Sequence, residues 1–431
     1  MNLNFTKLKS VKIASYVLLG LFLVVTVFNM CSPTIMYQFT VWNSFENVFF
    51  SIARWLSYLM VVTSVVAIIY KRKTYQFLSV FVATPMLIIS LCSSYQYLNL
   101  FEISTFYVVT HFLFNVLGIV LGVYIFLDMI INKEDKSFWL NTFLKTLPLL
   151  ILGLIPLNIF MQNNTLMNSA FLQYKIFGGW HLFFVLLAVA CVFLLYFVLK
   201  RKSEEDAQNV MFVLSVVMVY QLLTRFSVVS TGSYHSLSNI FAALPLYLCS
   251  FGILILPFAI ASKNKMFQTI LFLANMPGAF VVFVYLDPGA GVSILHYNVT
   301  YFVFNHLLLF VVASLLPRFC NAEYKFKNLL HLFYILAIYL AVVSILNNVC
   351  ILNGFDPNYS YVSFSPIPLG PIAEIGKFTI FGMTFAPLYL FILYLFYMAI
   401  FALGLCVYRG VLWICHKVGN KEKQNKTMAT E

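Results

Sequence analysis

A chain of 431 residues has the length for two or three soluble domains, but 62% of its residues are hydrophobic, 18% aromatic and only 9% charged. That composition excludes a soluble globular protein and places the chain in the membrane class. The net charge of +12 sits in short clusters between apolar runs, so it reads as a topology signal rather than a nucleic-acid-binding surface.

The first apolar run, "IASYVLLGLFLVVTVFNM" (13–30), follows Lys7, Lys9 and Lys12 and lacks a small-residue cleavage site. It reads as a retained signal anchor. Runs of this kind, "WHLFFVLLAVACVFLLYFVLK" (180–200) among them, are about 20 residues long, which at about 1.5 Å per residue matches a hydrocarbon core of about 30 Å. Lipid offers a bare peptide group no partner, so each run has to be a helix. A window of about 20 residues finds roughly twelve spans, centred near 21, 58, 86, 117, 151, 188, 219, 251, 276, 307, 339 and 393. The predicted fold class is all-α, a polytopic transmembrane helix bundle.

Basic residues cluster in alternate gaps: Lys7, Lys9 and Lys12; Lys71, Arg72 and Lys73; Lys133 and Lys136; Lys200, Arg201 and Lys202; Lys263 and Lys265; Arg318, Lys325 and Lys327; and the tail from Arg409 to Lys426. By the positive-inside rule both termini are cytoplasmic, in a multi-pass protein of the plasma membrane. The intervening gaps hold Glu46, Glu102, Asp287, Asp356 and Glu374. One of them, about 351–377, is long and rich in Pro and Gly, which makes it a candidate external lid. The reading divides the chain into an amino-terminal transmembrane half (1–170), a second transmembrane domain (171–415) and a polar cytoplasmic tail (416–431).

The eight cysteines show no paired spacing and lie mostly in or beside apolar runs, so neither a disulfide framework nor a metal site is expected, and no cofactor. His111, His181 and His306 fall within or at the edge of spans, where an ionisable group is a functional candidate. Sliding the chain on itself by 192 positions lays "IIYKRKTYQFLSVFVATP" (68–85) on "IASKNKMFQTILFLANMP" (260–277) and Ser57 on Cys249. With three more residues allowed in the next gap, His111 falls on His306. The expectation is a parallel 6+6 internal repeat with a diverged first copy.

Cys249, in "LPLYLCS", and His306, in "TYFVFNH", are the candidate catalytic pair. Each is expected about nine residues into its helix, from starts near Asn239 and Tyr297, hence about 13 Å below the outer surface. A thiol becomes an effective nucleophile when an imidazole takes its proton, and acyl transfer needs such a nucleophile. Arg225, near the outer end of its span, suits a lipid phosphate, or snorkels to the interface. His181 suits a head group or the aromatic belt, and Asn305 suits steering of the imidazole, donation to an oxyanion, or helix packing.

From "GGWHLFF" through "KRKSEED", "QLLTRF", "LPLYLCS", "KNK…MPG" and "FVFNHLLL" to the last span, about 175–415, the chain resembles the bacterial YwaF-like integral membrane proteins, a family that includes the eukaryotic transmembrane protein 164 acyltransferase. The resemblance implies transfer of a fatty acyl chain between phospholipids and lysophospholipids, with Cys249 as nucleophile and His306 as its partner. Relatives often carry His two residues before the Cys; here Tyr247 stands there, taken as a substrate-contacting residue. The rival reading is a transporter of the 6+6 helix type, although the gap after the second span, "YKRKTYQ", lacks a transporter-type Gly-Asp-Arg loop.

Overall fold

The structure, a computed structural model, describes residues 9–30, 53, 56–92, 105–131, 173–231, 244–285, 293–294, 297–355, 357–363 and 375–428. The expected span near 151, Glu46, Glu102, Asp287, Asp356 and Glu374 lie outside the described residues, as does the side chain of Arg225.

The described helices are α1 (Lys9–Met30), α2 (Leu59–Ile69), α3 (Lys73–Cys92), α4 (Thr105–Ile131), α5 (Gly179–Leu199), α6 (Glu204–Thr231), α7 (Leu248–Ser262), α8 (Lys265–Tyr285), α9 (Tyr297–Phe319), α10 (Leu329–Leu352) and α11 (Pro387–Met428). Among the described residues, seven helices are long and apolar enough to cross a membrane, in α3, α4, α5, α8, α9, α10 and α11, and shorter apolar helices stand in α1, α2 and α7. The chain is a multi-pass integral membrane protein. Its outward faces suit lipid: on α5, Leu186 is 70% exposed and Leu194 66%, as expected of apolar side chains bathed in hydrocarbon.

Helices α6, α7, α8 and α9 form a closed group, α6 against α7 and α9, and α8 against α7 and α9. Helices α1, α2, α3 and α4 pack in the same cyclic order. Between the two groups, the Arg72 guanidinium donates to the Ala261 carbonyl (3.1 and 3.2 Å) and the rings of Tyr75 and Phe212 meet at 3.8 Å. Helix α5 leans on α9, while α10 and α11 pack on each other and on α8. The shared core includes Leu59, Met60, Phe212, Phe272, Val312 and Phe401.

Local departures from the regular helix have identifiable causes. In α3 the turn Ser79–Ala83 is π-helical; Pro85 brings no N–H to the ladder, and the Thr84 hydroxyl donates to the Ser79 carbonyl at 2.7 Å. The corners after α2 and α7 each turn on a lysine in the left-handed region, Lys71 (φ 52°) and Lys263 (φ 53°). The all-α expectation is modified by one small hairpin, β1 (Phe378–Ile380) paired antiparallel with β2 (Met383–Phe385). Its two-residue turn puts Phe381 (φ 51°) and Gly382 (φ 77°) at positive φ, the geometry that matches strand twist. The Thr384 N–H donates to Asn348 Oδ1 (2.8 Å), which ties the hairpin to the end of α10.

Candidate functional site

Cys249 stands in the first turn of α7, because the helix begins at Leu248 rather than near Asn239. Pro245 biases Leu244 toward extended backbone, and Tyr247 is extended at φ −73°, ψ 143°. The thiol is therefore at a helix mouth, and the equal depth expected from the two helix starts does not follow. First-turn N–H groups lack intrahelical acceptors and favour negative charge nearby.

The mouth is closed by a collar of hydroxyl groups. The Leu248 N–H donates to Ser360 Oγ (3.0 Å), and the Tyr339 hydroxyl donates to the Leu246 carbonyl (2.5 Å). Ser360 Oγ and the Tyr339 hydroxyl lie 2.6 Å apart; with the tyrosine proton on Leu246, the serine proton bridges the two oxygens. The Tyr247 ring stands edge-on to Tyr359 and Tyr361, with centroids at 5.9 and 6.3 Å. Tyr339, Tyr361 and Tyr397 all lie within electrostatic range of the half-buried thiol. Burial, with smaller contributions from Tyr247 and Cys249, pushes the Tyr361 phenol up to about 12, so at neutral pH it remains a neutral donor.

The loop that builds this collar is held by its own network. Ser360 (φ 50°) and Tyr361 (φ 60°) are consecutive residues in the left-handed region, a conformation that costs about 1–3 kcal/mol for each non-glycine residue. The Tyr397 hydroxyl donates to the Ser360 carbonyl (3.2 Å) and the Tyr389 hydroxyl to the Tyr361 carbonyl. The Tyr359 N–H donates to Asn347 Oδ1 (3.2 Å), whose amide nitrogen donates to Ser363 Oγ (3.0 Å).

His306 lies on α9, half-buried, with Nδ1 2.8 Å from the Phe302 carbonyl and its ring 4.5 Å from the Phe302 ring. A carbonyl only accepts, so Nδ1 carries the proton and Nε2 the lone pair of the neutral ring. Asn305 beside it is 1% exposed, and among the described residues neither amide atom has a hydrogen-bond partner.

His181 is 1% exposed and its ring is engaged on both sides: Nδ1 accepts from the Phe177 N–H (3.2 Å) and Nε2 donates to the Phe283 carbonyl (3.1 Å). It ties the start of α5 to the end of α8. Arg225 falls within α6, and nothing further is described of it. The sequence reading marked the lid region but missed Ser360, Tyr339, Tyr361 and Tyr397. No local signal reveals a left-handed Ser-Tyr pair, and the four residues come together only through the packing of α10, α11 and the loop.

The family model described as "TMEM164 family" matches residues 176–397, a segment that takes in α5 to α10, both candidate catalytic residues and every member of the collar. No match was found among curated proteins or among solved structures. With more than half its length matched, over the part that carries the site, this multi-pass membrane protein belongs to the TMEM164 family.

Proposed function

We propose that the protein moves fatty acyl chains between membrane lipids, with Cys249 as the acyl-accepting nucleophile. The observation that carries this reading is the position of the thiol: it lies in the first turn of a helix whose start is held by serine and tyrosine hydroxyls, inside the segment that matches the family. The sulfur attacks the ester carbonyl of a phospholipid, the thioester forms, and the lysophospholipid leaves with the proton on its oxygen. A second lysophospholipid hydroxyl then attacks the thioester and returns the proton to sulfur. Negative charge on the carbonyl oxygen develops beside first-turn N–H groups, which suit it.

His306 is the proposed proton acceptor; its tautomer, with the lone pair on Nε2, and the resemblance support that role. Arg225 is the proposed phosphate contact, and Tyr247 and Asn305 the proposed substrate contacts. The decisive measurement is exchange of a labelled acyl chain between phospholipid and lysophospholipid in proteoliposomes, read by mass spectrometry. Cys249→Ala is expected to abolish exchange and the hydroxylamine-sensitive thioester on the protein. His306→Ala is expected to lower exchange severely, because the thiol then loses the group proposed to take its proton. Full exchange in Cys249→Ala sinks the enzyme reading and turns attention to transport; full exchange in His306→Ala removes only the imidazole from the mechanism.

We further propose about twelve spans with both termini cytoplasmic, in the plasma membrane, and an amino-terminal half that is a second copy of the α6–α9 unit. Support for the copy comes from the packing: α1 to α4 repeat the cyclic order of α6 to α9, with Lys71 and Lys263 at matching left-handed corners. At the offset of 195 that relates His111 to His306, Asp128 falls on Glu323, and each acid binds a lysine of its own unit. The pairs are Lys71–Asp128 (2.8 Å) and Lys265–Glu323 (2.5 Å).

A further inference from the structure

The Ser360 hydroxyl of the left-handed turn reaches the residues just before the thiol. Ser360 Oγ accepts from the Leu248 N–H and lies 2.6 Å from the Tyr339 hydroxyl, which itself holds the Leu246 carbonyl. Leu246 and Leu248 flank Tyr247, and the ring of Tyr247 is gripped from the same loop by Tyr359 and Tyr361. The extended residues that aim the start of α7 are thereby fixed by side chains from a segment more than a hundred positions away. The turn is in turn anchored by Tyr397 and Tyr389 of α11 through the Ser360 and Tyr361 carbonyls.

We propose that Ser360, backed by Tyr339, is a positioning residue for Cys249: its hydroxyl sets where α7 begins and so the direction and surroundings of the thiol. The reactivity of the sulfur is then coupled to the seating of the 357–363 loop. This rests on the reading of Cys249 as the reacting group, and the experiment reads the thiol separately from lipid exchange.

The test is the rate of Cys249 alkylation by a small neutral iodoacetamide from pH 6 to pH 10, followed by peptide mass spectrometry on the full-length protein in detergent, with Cys191 as the internal reference. Ser360→Gly keeps the left-handed turn without strain and removes only the hydroxyl; Tyr339→Phe removes its support. Each is expected to change the Cys249 rate about fivefold, the scale of one net hydrogen bond, and to displace its pH profile while leaving that of Cys191 in place. In lipid exchange the same variants should lower kcat with KM little changed. Wild-type Cys249 profiles in both variants overturn the proposal. Should Ser360→Gly fail to fold, Tyr339→Phe decides alone. Altered alkylation in a protein whose wild type exchanges no acyl chains keeps the positioning role and removes the acyltransferase reading; normal exchange sensitivity to Cys249→Ala with unaltered alkylation does the reverse.

Discussion

At the scale of single residues, this bundle places polar groups where hydrocarbon makes them costly, and the costs fall unevenly. Ser360 accepts a strained backbone but its hydroxyl and carbonyl are both bonded, so the strain is held by the contacts around it. Asn305 is the opposite case: regular helix, full burial, and an amide with no partner at either atom among the described residues. An unsatisfied buried amide costs about 1–3 kcal/mol, and a residue that persists at that cost is a candidate for meeting substrate. Asn305→Leu, close in volume, is therefore expected to raise stability by about 1–2 kcal/mol while lowering lipid exchange. Thermal unfolding in detergent beside the exchange assay checks both halves of that statement; a destabilised Asn305→Leu protein contradicts it, because it means the amide is satisfied in the membrane. Cys249 was read from the sequence about nine residues into a span, whereas it stands in the first turn of α7, and its surroundings were not legible, since they are assembled from α10, α11 and the loop.

At the scale of elements, hydropathy located most described helices but could not place their ends. The apolar run before Cys249 continues smoothly, so a window sees one span, whereas the helix that carries Cys249 begins only at Leu248, after Pro245 and the extended Tyr247. The hairpin of Phe378–Phe385 was hidden for a related reason: three-residue strands are too short to show alternation, and only Gly382 hinted at the turn. Close helix approaches are equally invisible without the packing. A Cβ added to Gly404 of α11 would sit 2.3 Å from the Pro277 Cβ of α8, and a proline ring cannot swing away. Small residues at such contacts let membrane helices approach closely. Gly404→Ala is expected to destabilise by about 1–3 kcal/mol, the usual cost of overpacking, seen as a lower unfolding midpoint. Gly410→Ala, where a Cβ meets open space, should raise the midpoint slightly, since Ala favours the helix; a raised midpoint at both positions would mean helix propensity, not packing, is being measured.

At the scale of the whole molecule, charge carried more information than any motif. Among the described residues the ion pairs form at basic corners read from the sequence, and the proposed duplication relates their acids, Asp128 and Glu323, while the lysines differ, since Lys71 falls on Lys263 and Glu323 pairs with Lys265. Asp128 is 3% exposed and accepts from Lys71 (2.8 Å) and Gln76 (3.2 Å). Glu323 stands at the surface, where hydrogen bonds from Lys265, Asn328 and Lys325 hold its carboxyl down at about 2. Lys71→Met takes one donor from a buried carboxylate that keeps Gln76 and is expected to cost about 1–3 kcal/mol, with much of it restored in the Lys71→Met, Asp128→Asn double variant. Lys265→Met should cost far less, because an exposed pair is screened by water and salt. The pH dependence of Glu323 follows in sign: its pKa is lowered on folding, so its contribution is present above the usual value of 4.5 and fades as pH falls toward about 2. Unfolding midpoints of wild type and Glu323→Gln should accordingly differ at neutral pH and converge in acid. A difference that widens as the pH drops, or a Lys71→Met protein as stable as wild type, would show that these two pairs do not close their helix units as the repeated packing implies.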